Sequence, residues 1–262
     1  MSMMDFTARI KDWWAVEAMI ASHTHVYRVV HRTTYETRGP IGVSWYGNSH
    51  LAPYQYEFLA LNPNPRVVTE AIREYPLAAN DKFILDVFHA LPSEPELKAK
   101  YQSLGYDFVR TGPILGRDLP TQRVRNDVSH IRPAKTIRQA EFANESLTNE
   151  GERIPLDSLR DKHIHNFFAE VSSQAVGWVQ LVTVYPKVGC IQHLYTLSMY
   201  RGLKIGSALV ERAQMEATRL GMKSVVLVPS DMAIGLAIRL GYRPLAYFTV
   251  FSPAGEPEDE EV

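Results

Sequence analysis

The chain has 262 residues, long enough for one or two domains with a substantial core. Its 28 Lys and Arg against 29 Asp and Glu leave a formal charge of −1, so no global basic bias points to nucleic acid or an acidic membrane surface. The sole cysteine, Cys190, excludes an intramolecular disulfide framework; with no secretory-type leader and no membrane-length apolar run, the expected location is cytoplasmic.

From the N-terminus, Asp5 to Ser22 reads as a helix carrying Trp13 and Trp14. Ser44-Trp45-Tyr46-Gly47-Asn48 and Pro53-Tyr54-Gln55-Tyr56 form an aromatic, loop-like region. It is a candidate lining for an apolar or cationic substrate pocket, or core filling. Leu61-Asn62-Pro63-Asn64-Pro65-Arg66 leads into a short helix through Glu74. Phe83 to Phe88 reads as a strand, followed by Pro92-Ser93, a helix from about Glu94, Leu104-Gly105-Tyr106 and another strand. The stretch from Arg117 to Ser129 is polar and poor in strand formers, so it is the expected linker.

Beyond it, Ile131 to Ala134 reads as a short strand and His163 to Leu197 as an antiparallel region. Its last strand, Cys190 to Leu197, feeds the turn Tyr200-Arg201-Gly202-Leu203-Lys204-Ile205-Gly206-Ser207. That turn opens an amphipathic helix with Ile205, Leu209, Ala213 and Leu220 among its apolar positions. A strand, a glycine-containing turn and a helix start leave backbone N–H groups without partners. With the positive end of the helix dipole, these suit a phosphate or pyrophosphate. Arg201 adds a fixed positive charge. A strand at Lys223 to Val228, the break Pro229-Ser230-Asp231, a helix to Leu240, Gly241 and a last strand, Tyr242 to Phe251, complete the order. Glu256 to Val262 reads as a solvated acidic tail.

Arg201-Gly202-Leu203-Lys204-Ile205-Gly206 resembles the Arg/Gln-x-x-Gly-x-Gly/Ala phosphate motif of the GNAT family of acyl-CoA-dependent N-acyltransferases. Leu240-Gly241-Tyr242 is similar to the family's later Leu-Gly-Phe/Tyr, and Ile131-Arg132-Pro133-Ala134 to its opening strand. The resemblance covers about residues 130–251. It implies an α+β fold, a mixed and mainly antiparallel sheet flanked by helices, in preference to a doubly wound nucleotide-binding fold. It also implies acetyl-CoA as cosubstrate. Strand, Pro-Ser, helix, Leu-Gly-Tyr, strand occurs in both halves, which suggests a duplication whose first copy is degenerate. That copy has Pro63 and Pro65 where a phosphate cradle needs N–H donors. The expected division is a degenerate GNAT-like domain at 1–117, a linker at 118–130, an acetyl-CoA-binding domain at 131–252 and an acidic tail at 253–262.

The resemblance implies that the main chain of Thr196 and Leu197 meets the pantetheine arm. It assigns the pyrophosphate to Arg201, Gly202, Leu203, Lys204, Ile205, Gly206 and Ser207. Two departures stand out. Lys204 replaces a central glycine, although a non-glycine residue can still occupy a helical first turn; Ala237 replaces a tyrosine that acts as acid to the leaving thiolate. No acidic residue lies between Cys190 and Arg201, so the polar candidates on that strand are Gln192, His193 and Tyr195. His193 and Tyr195 should share a face, and a histidine is a suitable base near neutrality. Ser230 is a candidate proton donor through water, or a helix cap. Cys190 reads as a buried hydrophobe. His163 and His165 share a strand period without a third ligand, so no metal is assigned. The implied function is acetyl transfer from acetyl-CoA to a small-molecule or peptide amine. The alternative is a non-catalytic acyl-CoA sensor, favoured by Ala237 and the missing strand glutamate. No nucleic acid or membrane partner is expected, and a homodimer is left open.

Overall fold

A computed structural model describes residues 10–47, 53–120 and 126–255. The chain forms two compact units that interleave in sequence. One holds residues up to 16, 31–114 and from 244; the other holds 17–30 and 115–243.

The first unit contains β1 (Thr34–Arg38), β2 (Ile41–Trp45), β3 (Tyr56–Ala60), α2 (Pro65–Arg73), β4 (Phe83–His89) and α3 (Pro95–Ser103). It also takes most of β5 (Tyr106–Asp118) and of β11 (Arg243–Pro253). Its strand order is β1-β2-β3-β4-β11-β5. The β1–β2 and β2–β3 pairs are antiparallel, β3–β4 is parallel and β4–β11 is antiparallel. Phe58, Leu85 and Phe251 on one sheet face pack with Val68 and Ile72 of α2 and Leu97 and Tyr101 of α3. Period two sends Glu57 and Asp86 to the other face.

Glu57 and Asp86 are both buried, and the Tyr46 hydroxyl donates to Glu57. Burial, and then the Glu57 charge and hydrogen bond, push the Asp86 carboxyl well above its ordinary range; Arg110 opposes them. The fold therefore favours the protonated form of the Asp86 carboxyl. A carboxyl whose folded pKa is raised contributes its full stability below the unfolded pKa, near 3.9, and loses it as pH climbs toward the folded value. Asp86→Asn keeps the shape and an N–H donor for Glu57 without that loss. Its melting temperature should exceed that of the natural protein at about pH 8, by the equivalent of about 1–3 kcal/mol, and converge with it near about pH 4. A lower melting temperature than the natural protein at both pH values would contradict a raised Asp86 pKa as the source of the effect.

The second unit takes most of α1 (Trp13–His31) and the end of β5. It adds β6 (Ile131–Ala134), α4 (Ile137–Leu147), β7 (Ile164–Val171), β8 (Gln174–Val182), β9 (Val188–Thr196), α5 (Ile205–Arg219), β10 (Ser224–Leu227) and α6 (Asp231–Arg239). From the end of β5 the order is β5-β10-β9-β8-β7-β6, antiparallel throughout except for the parallel β9–β10 pair. Val179, Leu181, Ile191 and Val225 face α5 through Leu209 and Ala213. Phe168 and Trp178 face α4 through Ala140 and Leu147. Thr136 starts α4 with a reciprocal capping box to Gln139. Among the described residues, no helix is long and apolar enough to cross a membrane.

The order β3–α2–β4–α3–β5 is matched by β9–α5–β10–α6–β11, with the first and second strands parallel in each. This is the duplicated pattern expected from the two Leu-Gly-Tyr segments. Several boundaries differ from the sequence reading. The first helix runs on to His31 rather than ending at Ser22, because Val26, Tyr27, Val29 and Val30 continue an apolar pattern until Arg32 turns left-handed at φ 57°; residues 5–9 lie outside the described residues. The expected cut at Arg117 falls inside β5, where Arg117 pairs with Val225 and Asp118 with Ser224. Arg117 reads as linker because it is charged, yet its guanidinium donates to the Leu240 carbonyl just past α6. Trp45 and Tyr56 end and begin strands, and Trp13 packs edge-on against Phe88. Asn48 and the acidic run from Glu256 lie outside the described residues.

Candidate functional site

The parallel pair β9–β10 comes apart. Val188 to Ile191 pair with Ser224 to Leu227, and there the pairing ends. Gln192 to Thr196 continue along β8 alone. The Leu197 N–H donates to the Val176 carbonyl, so it faces β8. Alternation then turns the peptide groups of Thr196 and Leu194 toward the open side. The Thr196 carbonyl accepts from Arg201 Nε at 3.2 Å, which leaves its N–H as the donor best placed for a ligand in the gap.

At the end of the strand the chain turns into α5 through two left-handed residues, Gly202 at φ 80° and Lys204 at φ 63°. Lys204 is the N-cap and makes no side-chain capping bond. The first helical bond runs from Ala208 to the Lys204 carbonyl, so the N–H groups of Ile205, Gly206 and Ser207 have no acceptor within the helix. Three free helix-start donors and the dipole end are an arrangement suited to an anion. Lys204 is thus not within the helical first turn, which a non-glycine residue could occupy, but in the conformation that favours glycine. Lys204→Gly should raise stability by about 1 kcal/mol, read from denaturant midpoints, since a left-handed non-glycine residue costs about 1–2 kcal/mol. An unchanged or lower midpoint would show that the lysine stem offsets that strain. A Cβ on Gly206 would lie 3.1 Å from Leu236 Cδ1 and 3.6 Å from Thr196 Oγ1. The missing side chain lets α6 and the end of β9 close around the turn.

The strand bulges at His193, which sits at φ 49° between the Gln180–Gln192 and Trp178–Tyr195 pairs. The exposed His193 ring stacks on the buried Trp178 ring, with centroids 5.3 Å apart and planes 12° apart. His193 and Tyr195 therefore meet at Trp178, although the bulge breaks the simple alternation. The Tyr195 hydroxyl donates to Glu150 Oε2 at 2.6 Å, and the Ser198 N–H and hydroxyl donate to the same carboxylate. Trp178 Nε1 donates to Glu152 Oε2 at 3.1 Å. The bonds from Tyr195 and then Ser198 lower the Glu150 pKa, and the bond to Glu150 raises that of Tyr195. Glu150 ionises readily and Tyr195 keeps its proton.

The sequence reading found no acid on β9 and missed Glu150 and Glu152. Glu150 ends the 3₁₀ turn Thr148–Glu150 that follows α4, and left-handed Gly151 reverses the chain into Glu152. Glu-Gly-Glu just past a helix was the available signal, but spacing alone could not bring it to β9. The Ser230 carbonyl, not its hydroxyl, accepts the first bonds of α6, and the side chain makes no cap bond. Ala237 is buried in the core beneath α5. Cys190 is buried, with its thiol pushed up to about 11 by burial. His165 approaches Thr183 Oγ1, while His163 and His25 meet edge to face. Among the described residues no three side chains are grouped to hold a metal ion.

The matching place in the first unit is closed. Residues 56–60 of β3 pair with β4 along their full length, so no gap opens. At the start of α2 the Asn64 side chain accepts the Arg66 N–H, and Pro65 has no N–H to offer.

Residues 131–242 match the model of the acetyltransferase (GNAT) family. Among solved structures, the chain is similar to a GCN5-related N-acetyltransferase from Kribbella flavida, with TM-score 0.68, 18% identity, and 91% of this chain and 96% of that one covered. A GCN5-related N-acetyltransferase from Sphaerobacter thermophilus gives TM-score 0.54 at 13% identity, covering 83% and 78%. A tandem GNAT protein from the clavulanic acid biosynthesis pathway gives 0.52 at 12% identity, covering 84% and 79%. At these identities the likeness is one of fold. No curated protein matches the sequence.

Proposed function

We propose that this protein, whose residues 131–242 match the model of the acetyltransferase (GNAT) family, transfers the acetyl group of acetyl-CoA directly to an amine. The observation that carries the reading is the opening of β9 from β10 directly before an uncapped, left-handed turn into α5. The gap accommodates an extended pantetheine arm as an added strand, and the turn holds the pyrophosphate. In this reading Gly202, Leu203, Lys204, Ile205, Gly206 and Ser207 supply the cradle through their main chain. Arg201 pairs with phosphate oxygens after leaving the Thr196 carbonyl.

The amine attacks the thioester carbonyl, whose oxygen becomes an oxyanion facing the Thr196 N–H. The Leu197 N–H is already engaged by Val176. His193 is the proposed base, directly or through a water. The tetrahedral intermediate then collapses to the amide and CoA thiolate, which takes its proton from water or from Tyr195, the hydroxyl that Glu150 keeps protonated. Ser230 is at most a donor through water, at the exposed end of β10. Glu150 and Glu152 place negative charge beside this centre, which draws an ammonium form of the acceptor toward it. Acetyl-CoA turnover against an amine panel tests the reading. Amine-dependent release of free thiol supports it. Tight CoA binding with every amine silent would replace it with a sensor.

A further inference from the structure

One side-chain ladder in the second unit has its polarity fixed from one end. Ser158 Oγ lies 2.5 Å from the Pro155 carbonyl oxygen, and only the serine has a proton to place between them. Ser158 therefore accepts from Asn166, whose Nδ2 is 2.8 Å away. Asn166 then presents Oδ1 to Gln180, whose Nε2 donates at 3.0 Å. The remaining atom is Gln180 Oε1, a carbonyl oxygen on a fully buried side chain with no hydrogen-bond partner among the described residues. A buried acceptor left unpaired costs about 1–3 kcal/mol. The ladder cannot turn over to relieve it, because flipping Gln180 would set two oxygens against each other.

The orphan oxygen is not isolated. Gln180 pairs across the strands with Gln192, whose amide has only a long contact to the Cys190 sulfur, 3.7 Å. Ser22 on α1, also fully buried, lies within hydrogen-bonding reach of that thiol. Trp178, Gln180, Gln192 and Tyr195 share the α4-facing side of the sheet. Along β9 exposure rises from buried Cys190 to half-buried Gln192 to exposed His193. Half-buried Gln192 is thus the residue between the buried Gln180 side chain and the proposed reaction centre on the same strand. At no more than about 3.3 Å per residue, and less across the left-handed bulge at His193, the two to four residues from Gln192 to Leu194 and Thr196 span up to about 7–13 Å.

We infer that Gln180 Oε1 is a specificity contact, held by the Ser158–Asn166 ladder to accept a hydrogen bond from a second polar group of the acceptor amine. The inference rests on the acetyltransferase reading of this site and narrows its substrate class. The acceptor carries a hydroxyl, amine or amide N–H up to about 7–13 Å from the nitrogen that is acetylated. A plain alkylamine leaves the orphan unpaired and is rejected for that reason.

The test compares hexylamine, 6-aminohexanol and 1,6-diaminohexane as acceptors with the full-length protein and acetyl-CoA. The two donor-terminated amines should exceed hexylamine by about tenfold or more in kcat/KM, carried by KM. Gln180→Met should bring the ratio close to one. Gln180→Glu, of the same size, should shift the preference toward the diamine over the alcohol, because its carboxylate favours an ammonium. Equal kcat/KM for all three with the natural protein would overturn the inference without reference to any variant. That result means that the orphan oxygen meets only a buried water. If none of the three turns over, calorimetric binding to the CoA complex decides. A donor preference that Gln180→Met abolishes keeps the inference while the acetyltransferase reading falls, and binding without preference ends the inference.

Discussion

Gly206→Asp should weaken acetyl-CoA binding by a hundredfold or more. The substitution places a carboxylate among the N–H groups of Ile205, Gly206 and Ser207, where it occupies the donors and repels the pyrophosphate. Geometry adds a second effect that must be separated from the first. Any Cβ at this position presses on Leu236 Cδ1 at 3.1 Å, and Leu236 has to shift by a few tenths of an ångström. Gly206→Ala carries that packing effect without the charge. The account expects the alanine variant to lose far less affinity by calorimetry, with both variants folded by circular dichroism. Equal affinity in Gly206→Asp and the natural protein would remove the cradle from the site. Equal loss in both variants would assign the effect to α6 packing rather than to the anion.

His193→Ala should reduce turnover by about a hundredfold or more with little change in acetyl-CoA affinity, and should erase the acidic limb of the pH profile. Backbone geometry offers a sharper separation of catalysis from structure. His193 is held at φ 49°, where glycine is preferred. His193→Gly relaxes the bulge even as it removes the imidazole and its stacking on Trp178. A purely structural histidine would give a variant whose turnover follows its stability. A base gives one that loses turnover wherever its melting point lies. Turnover by His193→Gly at the natural rate would leave Glu150 or a water as the base.

Much of this molecule was legible in its residues because local rules fix the parts concerned. The turn at Arg201–Gly206, the short β-branched strand after α5 and the glycine stop at Gly241 were read from spacing alone. The repeated order in the first half was read the same way. Local signals failed where long-range pairing decides. β11 was assigned by sequence to the domain it follows, yet Phe248 and Phe251 pair with Phe88 and Leu85 of the first unit. Arg117 and Asp118 look like linker residues, yet they close the sheet beside β10. A fragment ending at residue 117 would lack β11, so the two units are best studied in the whole chain. At the candidate site the glycines marked the strand–turn–helix, but the αL state of Lys204 and the bulge at His193 were invisible, since side-chain pattern does not encode the sign of φ. Glu150 was missed for another reason. It reaches Tyr195 from 45 residues away, by a turn whose path depends on how α4 packs on β8.

The central claim is that one acetyl-CoA, held only in the second unit, gives its acetyl group to an amine. The most direct measurement follows free thiol and acetylated amine together, with acetyl-CoA titrated against the full-length chain. The account predicts one binding site per chain. The β3–β4 pair of the first unit is closed and its helix start is already capped by Asn64. It also predicts thiol released in step with amide, dependent on the amine and absent in Gly206→Asp. Two equivalent sites per chain, or thiol release that persists unchanged in Gly206→Asp, would contradict it.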